Sequence, residues 1–233
     1  MRFSFKATLL VAAITAATTA AQANTLLSVA GYDMPNGDGT AHGGDFNYWD
    51  AGYSNCVASN CTTDGLSGSY LSGGTGMLTD GVIPASSFFG GDGVGAYVGW
   101  LENPTITFHL GSVQTVSEIK LYVDNSAISG VAAPGSVVIN GTSYADPNWG
   151  SVDAPQTIDI TGLALNTGDI AVMLNRSTAQ NISWVFLSEA QFLGPSTNAT
   201  PLPAAWSTML IGMAGCGMAA YWRRRRPAMS AVG

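Results

Sequence analysis

Apolar and polar residues alternate with a period of two through the second half of the chain. Ile106, Phe108 and Leu110 fall on one side, with Thr105, Thr107 and His109 on the other. Ile119, Leu121 and Val123 alternate with Glu118, Lys120 and Tyr122, Ile158 and Ile160 flank Asp159, and Ile170, Val172 and Leu174 repeat the theme. Successive side chains of an extended strand point to opposite faces, so each run predicts a strand with one buried face. The run from Ile182 to Leu187 is apolar on both faces at its centre, as in a strand covered on both sides. Turn signals separate these runs at Leu110-Gly111-Ser112, Asn140-Gly141, Asp146-Pro147-Asn148 and Asn166-Thr167-Gly168. No stretch of this part of the chain carries a helical period. Many short strands at regular spacing predict an all-β domain, a sandwich or jelly roll.

The two ends follow other patterns. Arg2 and Lys6 precede a mostly apolar run over residues 7–17, and Ala21-Gln22-Ala23 places small residues where a signal peptidase cuts. Residues 1–23 therefore predict a signal peptide, with a helical apolar centre too short for a resident membrane span. At the far end, a polar linker with the motif Pro201-Leu202-Pro203 occupies residues 195–203. Residues 204–222 are uncharged, close to the ~20 residues that one membrane crossing needs. Trp206, Tyr221 and Trp222 lie where interfacial aromatics belong, and Arg223, Arg224, Arg225 and Arg226 open a basic tail over residues 223–233. The arginines predict a cytoplasmic C-terminus, which places residues 24–194 outside the inner membrane.

Mapping the charge sharpens this picture. All fifteen carboxylates lie between Asp33 and Glu189, and Lys120 and Arg176 are the only cations among them, a formal balance of −13. So acidic a surface repels phosphate backbones and excludes nucleic acid as a partner. The first half is rich in glycine and less regular, with strands expected near residues 25–30 and 68–72. Cys56 and Cys61 are the only cysteines of the exported part, and in an oxidising compartment they predict a local disulfide. No second Cys or His pair completes a zinc site.

The Pro-Leu-Pro motif, the single apolar helix and the arginine run, in that order, resemble the PEP-CTERM sorting signal, a tail also catalogued under an ice-binding C-terminal name. Leu202 stands where Glu is commonest. The resemblance implies an exosortase-type enzyme as partner, cleavage near the motif, and release or transfer to the cell surface. An uncleaved single-span anchor has the same topology. A second resemblance runs through Leu78-Thr79-Asp80-Gly81, Tyr97-Val98-Gly99-Trp100, residues 105–110 and 116–123, and the closing run 182–193 with Glu189. This order is similar to the galactose-binding-like (discoidin) jelly roll of bacterial carbohydrate-binding modules. It implies a structural Ca²⁺ bridging the Asp-Gly turn and the late strand, with Asp80 and Glu189 as ligands. The loop Asn36-Gly37-Asp38-Gly39 is a second, weaker cation candidate without the full EF-hand pattern.

An enzyme needs convergent nucleophiles, bases or metal ligands, and none is marked here. His42 lies in a glycine-rich stretch, His109 lies on an outward strand position, and no Ser-His-Asp, zinc or phosphate-loop motif is present. Sugar binding instead needs a ring on which a pyranose face stacks, beside polar groups. Tyr48 and Trp49, within Phe46-Asn47-Tyr48-Trp49-Asp50, and Trp149 are the candidates, with core packing the alternative for the first pair. Arg176 is the one arginine that could join them, whereas Trp100 and Trp184 read as core. The sequence thus leaves two readings: a non-catalytic polysaccharide-binding or envelope- and biofilm-associated domain, or a calcium-stiffened structural surface domain. A glycan-active enzyme is a distant third, since fifteen acids can pair in space but nothing marks a pair.

Overall fold

The computed structural model describes residues 24–39, 48–54, 70–145, 155–179 and 182–195. They belong to one compact unit, Asn24–Ser196. Among the described residues there are nine strands: β1 (Asn24–Leu26), β2 (Gly31–Pro35), β3 (Tyr70–Gly74), β4 (Val98–Trp100), β5 (Thr105–Asp124), β6 (Ser136–Ile139), β7 (Thr142–Tyr144), β8 (Pro155–Asn175) and β9 (Val185–Pro195). Their main order is β1-β9-β5-β8-β6-β7; β2 joins β5 and carries β3, and β4 joins β9. All pairings between these strands are antiparallel.

The β5–β8 ribbon organises the molecule. It stays paired from Thr105↔Met173 to Asp124↔Pro155, with breaks in register between His109 and Gln114 and between Val116 and Glu118. Residues 111–113 are exposed on both faces at the first break. Before it β5 borders β2; beyond it β5 borders β9. The rings of Phe108, from the first half, and Phe192, opposite the second half, lie 4.9 Å apart. The ribbon therefore doubles back and packs its two halves face to face, giving a sandwich-like all-β fold. Ile106, Phe108, Ile119, Leu121, Ile158 and Val172 meet in this core with no exposed surface. Burying each such side chain stabilises the fold by about 1.5–3 kcal/mol, the main force holding the two halves together.

The inward and outward residues of β5 and β8 fall as the alternation predicts. The turn signals behave less uniformly. Asn140 and Gly141 do close the β6–β7 hairpin, with φ of 46° and 84°, the left-handed pair of a type I′ turn. At 110–112 and 166–168, by contrast, the chain bends without ending a strand, because Gln114↔Thr167 and Thr115↔Asn166 keep the two strands paired through the corner. The strand expected over residues 25–30 shortens to β1, and the one near residues 68–72 becomes β3. The sequence reading misses β2, where Tyr32 and Met34 are fully buried and Asp33 and Pro35 are half-buried.

The final strand is covered on both sides, as its apolar run predicts. Val185, Leu187 and Phe192 enter the main core. Phe186, with Trp184 just before β9, joins Phe88, Tyr97 and Val131 in a second cluster on the other face. Residues 1–23, the segments containing Cys56, Cys61 and Trp149, and everything from residue 196 onward lie outside the described residues, as therefore do the signal peptide, disulfide, sorting motif and membrane span expected from the sequence. Among the described residues no helix is long and apolar enough to cross a membrane.

Candidate functional site

Two loci gather the chemistry. The first lies where the chain after β3 meets β9. Gly76 starts a short 3-10 turn, Met77–Thr79, which ends on Asp80. The turn is fixed from beneath by Asp50, which is fully buried: Oδ1 accepts the N–H groups of Gly52 and Met77, each at 3.1 Å, and Oδ2 accepts the hydroxyl of the buried Tyr32. Burial pushes the Asp50 carboxyl up, and the three donors work against that shift. Asp80 is exposed, and its Oδ1 accepts the N–H of Val82 at 2.8 Å. Glu189, 4% exposed on β9, reaches the same turn, with its Oε2 accepting the N–H of Gly81 at 3.1 Å.

Asp80 and Glu189, foreseen together from the order of motifs, are thus joined through Gly81. Burial, and then the negative charge of Asp80, push the Glu189 carboxyl up to about 7, although the Gly81 N–H and the Gln191 side chain oppose the shift. Beside them opens a cavity of about 320 Å³ lined by Leu27, Val29, Thr79, Glu189 and Gln191 among others. The Thr79 hydroxyl is buried without a hydrogen-bond partner. A carboxylate held up by burial, a second one close by and an orphaned hydroxyl form an oxygen-rich locus whose charge a hard cation would neutralise. Among the described residues no group of three or more His, Cys, Asp and Glu side chains could hold a metal. Any cation here would therefore draw most of its oxygens from Thr79, backbone carbonyls and water.

The Asn36–Asp38 turn spends its side chains differently. Asn36 Oδ1 accepts from the N–H groups of Gly37 and Asp50, and Asp38 Oδ2 accepts the Leu101 N–H at 2.6 Å. Both residues are buried and tie the turn to its neighbours.

The second locus is aromatic. The half-buried Tyr48 lies 5.7 Å from Phe88, 5.3 Å from Trp184 and 4.6 Å from Phe186, ring centre to ring centre. Phe88 is pinned by its N–H, which donates to Asp124 Oδ2 at 2.7 Å. The next residue, Phe89, stands edge-on to it at 6.0 Å and is 65% exposed. Trp49 is half-buried, whereas Trp100 and Trp184 are buried, as their strand-like contexts imply. On the same loop the Asp92 carboxyl is held low by the Ala85 N–H and the Ser86 hydroxyl. Arg176 donates from Nη1 to the Ser183 carbonyl at 2.6 Å, which brings it to the residue before Trp184. Sequence reasoning missed Phe89, for Phe88-Phe89 carries no signal telling the pinned ring from the free one.

His109 is the only histidine among the described residues and takes no part in either locus. It lies between Asp33 and Asp169 on the outer face of the sheet.

No protein-family model and no curated protein matches the chain. Among solved structures, it is similar to one from work on the Streptococcus pneumoniae β-galactosidase BgaA (13% identity, TM-score 0.36, covering 50% of this chain and 82% of that one). Another is truncated AlyQ with CBM32 and alginate lyase domains (11% identity, TM-score 0.41, 77% of this chain and 35% of that one). A third is the family 32 carbohydrate-binding module of C. perfringens NanJ in complex with galactose (13% identity, TM-score 0.29, 40% of this chain and 67% of that one). At these scores the likeness supplies no argument about ligand or site.

Proposed function

We propose that this chain is an exported, non-catalytic glycan-binding domain of galactose-binding-like jelly-roll type, delivered by its signal peptide and held by its PEP-CTERM-like tail. The carrying observation is the aromatic cluster: pinned rings at Phe88, Trp184 and Phe186 support Tyr48 at the surface and present Phe89 to solvent. An exposed ring packed edge-on against a buried neighbour offers the apolar face of a sugar a surface on which to stack. The acidic surface favours neutral or cationic polysaccharide over uronate polymers, which it repels. Affinity electrophoresis of the full chain through gels containing a panel of polysaccharides tests this. One or more should retard the wild type, and Phe89→Ala should restore its mobility by weakening binding about tenfold, as for a stacking contact worth about 1–1.5 kcal/mol. Unchanged mobility in every polysaccharide would overturn the reading.

The second reading, a calcium-stiffened structural domain, is favoured by the Glu189–Gly81 contact and the orphaned Thr79 hydroxyl. Asp80 and Glu189 would hold the ion, which would supply the neutralising charge their locus lacks. A ligand that binds only the native state raises the melting temperature, by about 2.7 kcal/mol of stability at a hundred times its Kd. Calcium should therefore raise the midpoint of the wild type and leave Asp80→Ala unmoved. If chelator and calcium give the same midpoint, calcium plays no part here.

A further inference from the structure

The outer face of the sheet carries a charged clamp that neither locus uses. The His109 ring on β5 stands between two carboxylates from the flanking strands. Its Nε2 lies 3.2 Å from Asp33 Oδ2 on β2, and its Nδ1 lies 2.8 Å from Asp169 Oδ1 on β8. A neutral imidazole has one N–H and can donate to only one of them, leaving a lone pair facing the other carboxylate. Only the imidazolium satisfies both sides.

The clamp reaches further on the β2 side. Asp33 Oδ1 also accepts the Ser72 hydroxyl and the Gly73 N–H, both at 2.8 Å, so the chain of contacts crosses β3, β2, β5 and β8. It stands where the sheet is weakly joined. β2 pairs with β5 only at Gly31↔His109, Tyr32↔Phe108 and Asp33↔Thr107, and β3 pairs with β2 alone. By contrast, β5 and β8 pair at fifteen positions from Thr105↔Met173 to Asp124↔Pro155, on both sides of their two breaks in register.

We propose that His109 is a proton-operated latch that fastens the β2–β3 edge to the body of the sheet. The charged groups facing the ring are Asp33 from β2 and Asp169 from β8. Tyr53, close to Asp33, is held neutral by burial and donates its hydroxyl to the Tyr32 carbonyl. The Asp169 hydrogen bond raises the affinity of the ring for its proton; burial opposes this, and Asp33 adds to it. Burial works to raise the Asp33 carboxyl, but the Gly73 N–H, the Ser72 hydroxyl and His109 outweigh it and hold it low. The latch is thus closed between the lowered value of Asp33 and the raised value of His109. It opens on the alkaline side as the ring deprotonates and on the acid side as Asp33 takes a proton. β2 runs directly into the turn whose Asp38 carbonyl accepts the Tyr48 N–H, so the latch stands at the root of the segment that carries Tyr48.

Hydrogen exchange of the full chain, followed by mass spectrometry and corrected for intrinsic rates, tests the latch. Residues 119–123 follow the change in overall stability that Glu189 imposes over the same range, so protection is read relative to theirs. Between pH 6 and pH 9 the relative protection of residues 31–35 and 70–74 should fall about twofold to fivefold, the range for a partly exposed ion pair. His109→Gln should show low relative protection at both pH values and no step between them. Asp169→Asn should move the midpoint of the step to lower pH, because the ring loses the partner that most favours its charge. Flat relative protection in the wild type, a step that persists in His109→Gln, or an unmoved midpoint in Asp169→Asn would each overturn the proposal.

Discussion

Glu189 shows how one buried residue sets a pH response. Its carboxyl rises from 4.5 to about 7 in the fold, so between those values the native chain keeps a proton that the unfolded chain has lost. Stability therefore falls as pH rises through this window and stays at the lower level above it, by about 2–3 kcal/mol. His109, also raised from 6.5, slopes the same way at higher pH, since its contribution is full below the unfolded value and is lost as the folded ring deprotonates. Glu189→Gln should flatten the melting temperature between pH 5 and pH 7 and leave the slope above pH 7 in place, which a series of melts at fixed ionic strength will show. The approach of Glu189 to the Asp80-Gly81 turn was legible only through the resemblance to the galactose-binding-like jelly roll, which sets such a turn against the late strand. Tyr32 and Asp50 were not, since nothing along the chain announces that a hydroxyl and a carboxylate eighteen residues apart will be buried together. Tyr32→Phe removes one of the donors to that carboxylate and should cost about 1–3 kcal/mol in denaturant unfolding, the usual penalty for leaving a buried acceptor short.

Among the elements, β9 carries the most constraint. It separates the main core from the aromatic cluster, and β4 lies so close beside it that a Cβ on Gly99 would collide with the Phe186 ring. Gly99→Ala should therefore destabilise the protein by about 1–3 kcal/mol in chemical denaturation through overpacking. Phe108→Ala, which empties a fully buried position at the contact between the two halves, should cost about 3–5 kcal/mol in the same measurement. The inward faces of β5, β8 and β9 were readable because a period of two reports which residues share a face. It does not report the partner strand, and so the glycine turns at 110–112 and 166–168 read as strand ends although they are opposed corners of one ribbon. β2 escaped because five residues closed by Pro35 show too little alternation to stand out from a glycine-rich background.

For the molecule as a whole, the all-β class was written in the strand period, while the doubling-over of the β5–β8 ribbon rests on contacts such as Phe108 with Phe192 that no local pattern encodes. The two ends of the folded unit add a property of their own. Asn24 pairs with Pro195, so the chain enters and leaves the sheet on neighbouring strands, about 5 Å apart. A unit with adjoining ends can be spliced into a surface loop of a host protein without stretching that loop. By the same geometry, a short linker joining residues 195 and 24 would give a circular permutant, with new ends cut at Asn140–Gly141 and every strand pairing except the loop closure of β6–β7 left in place.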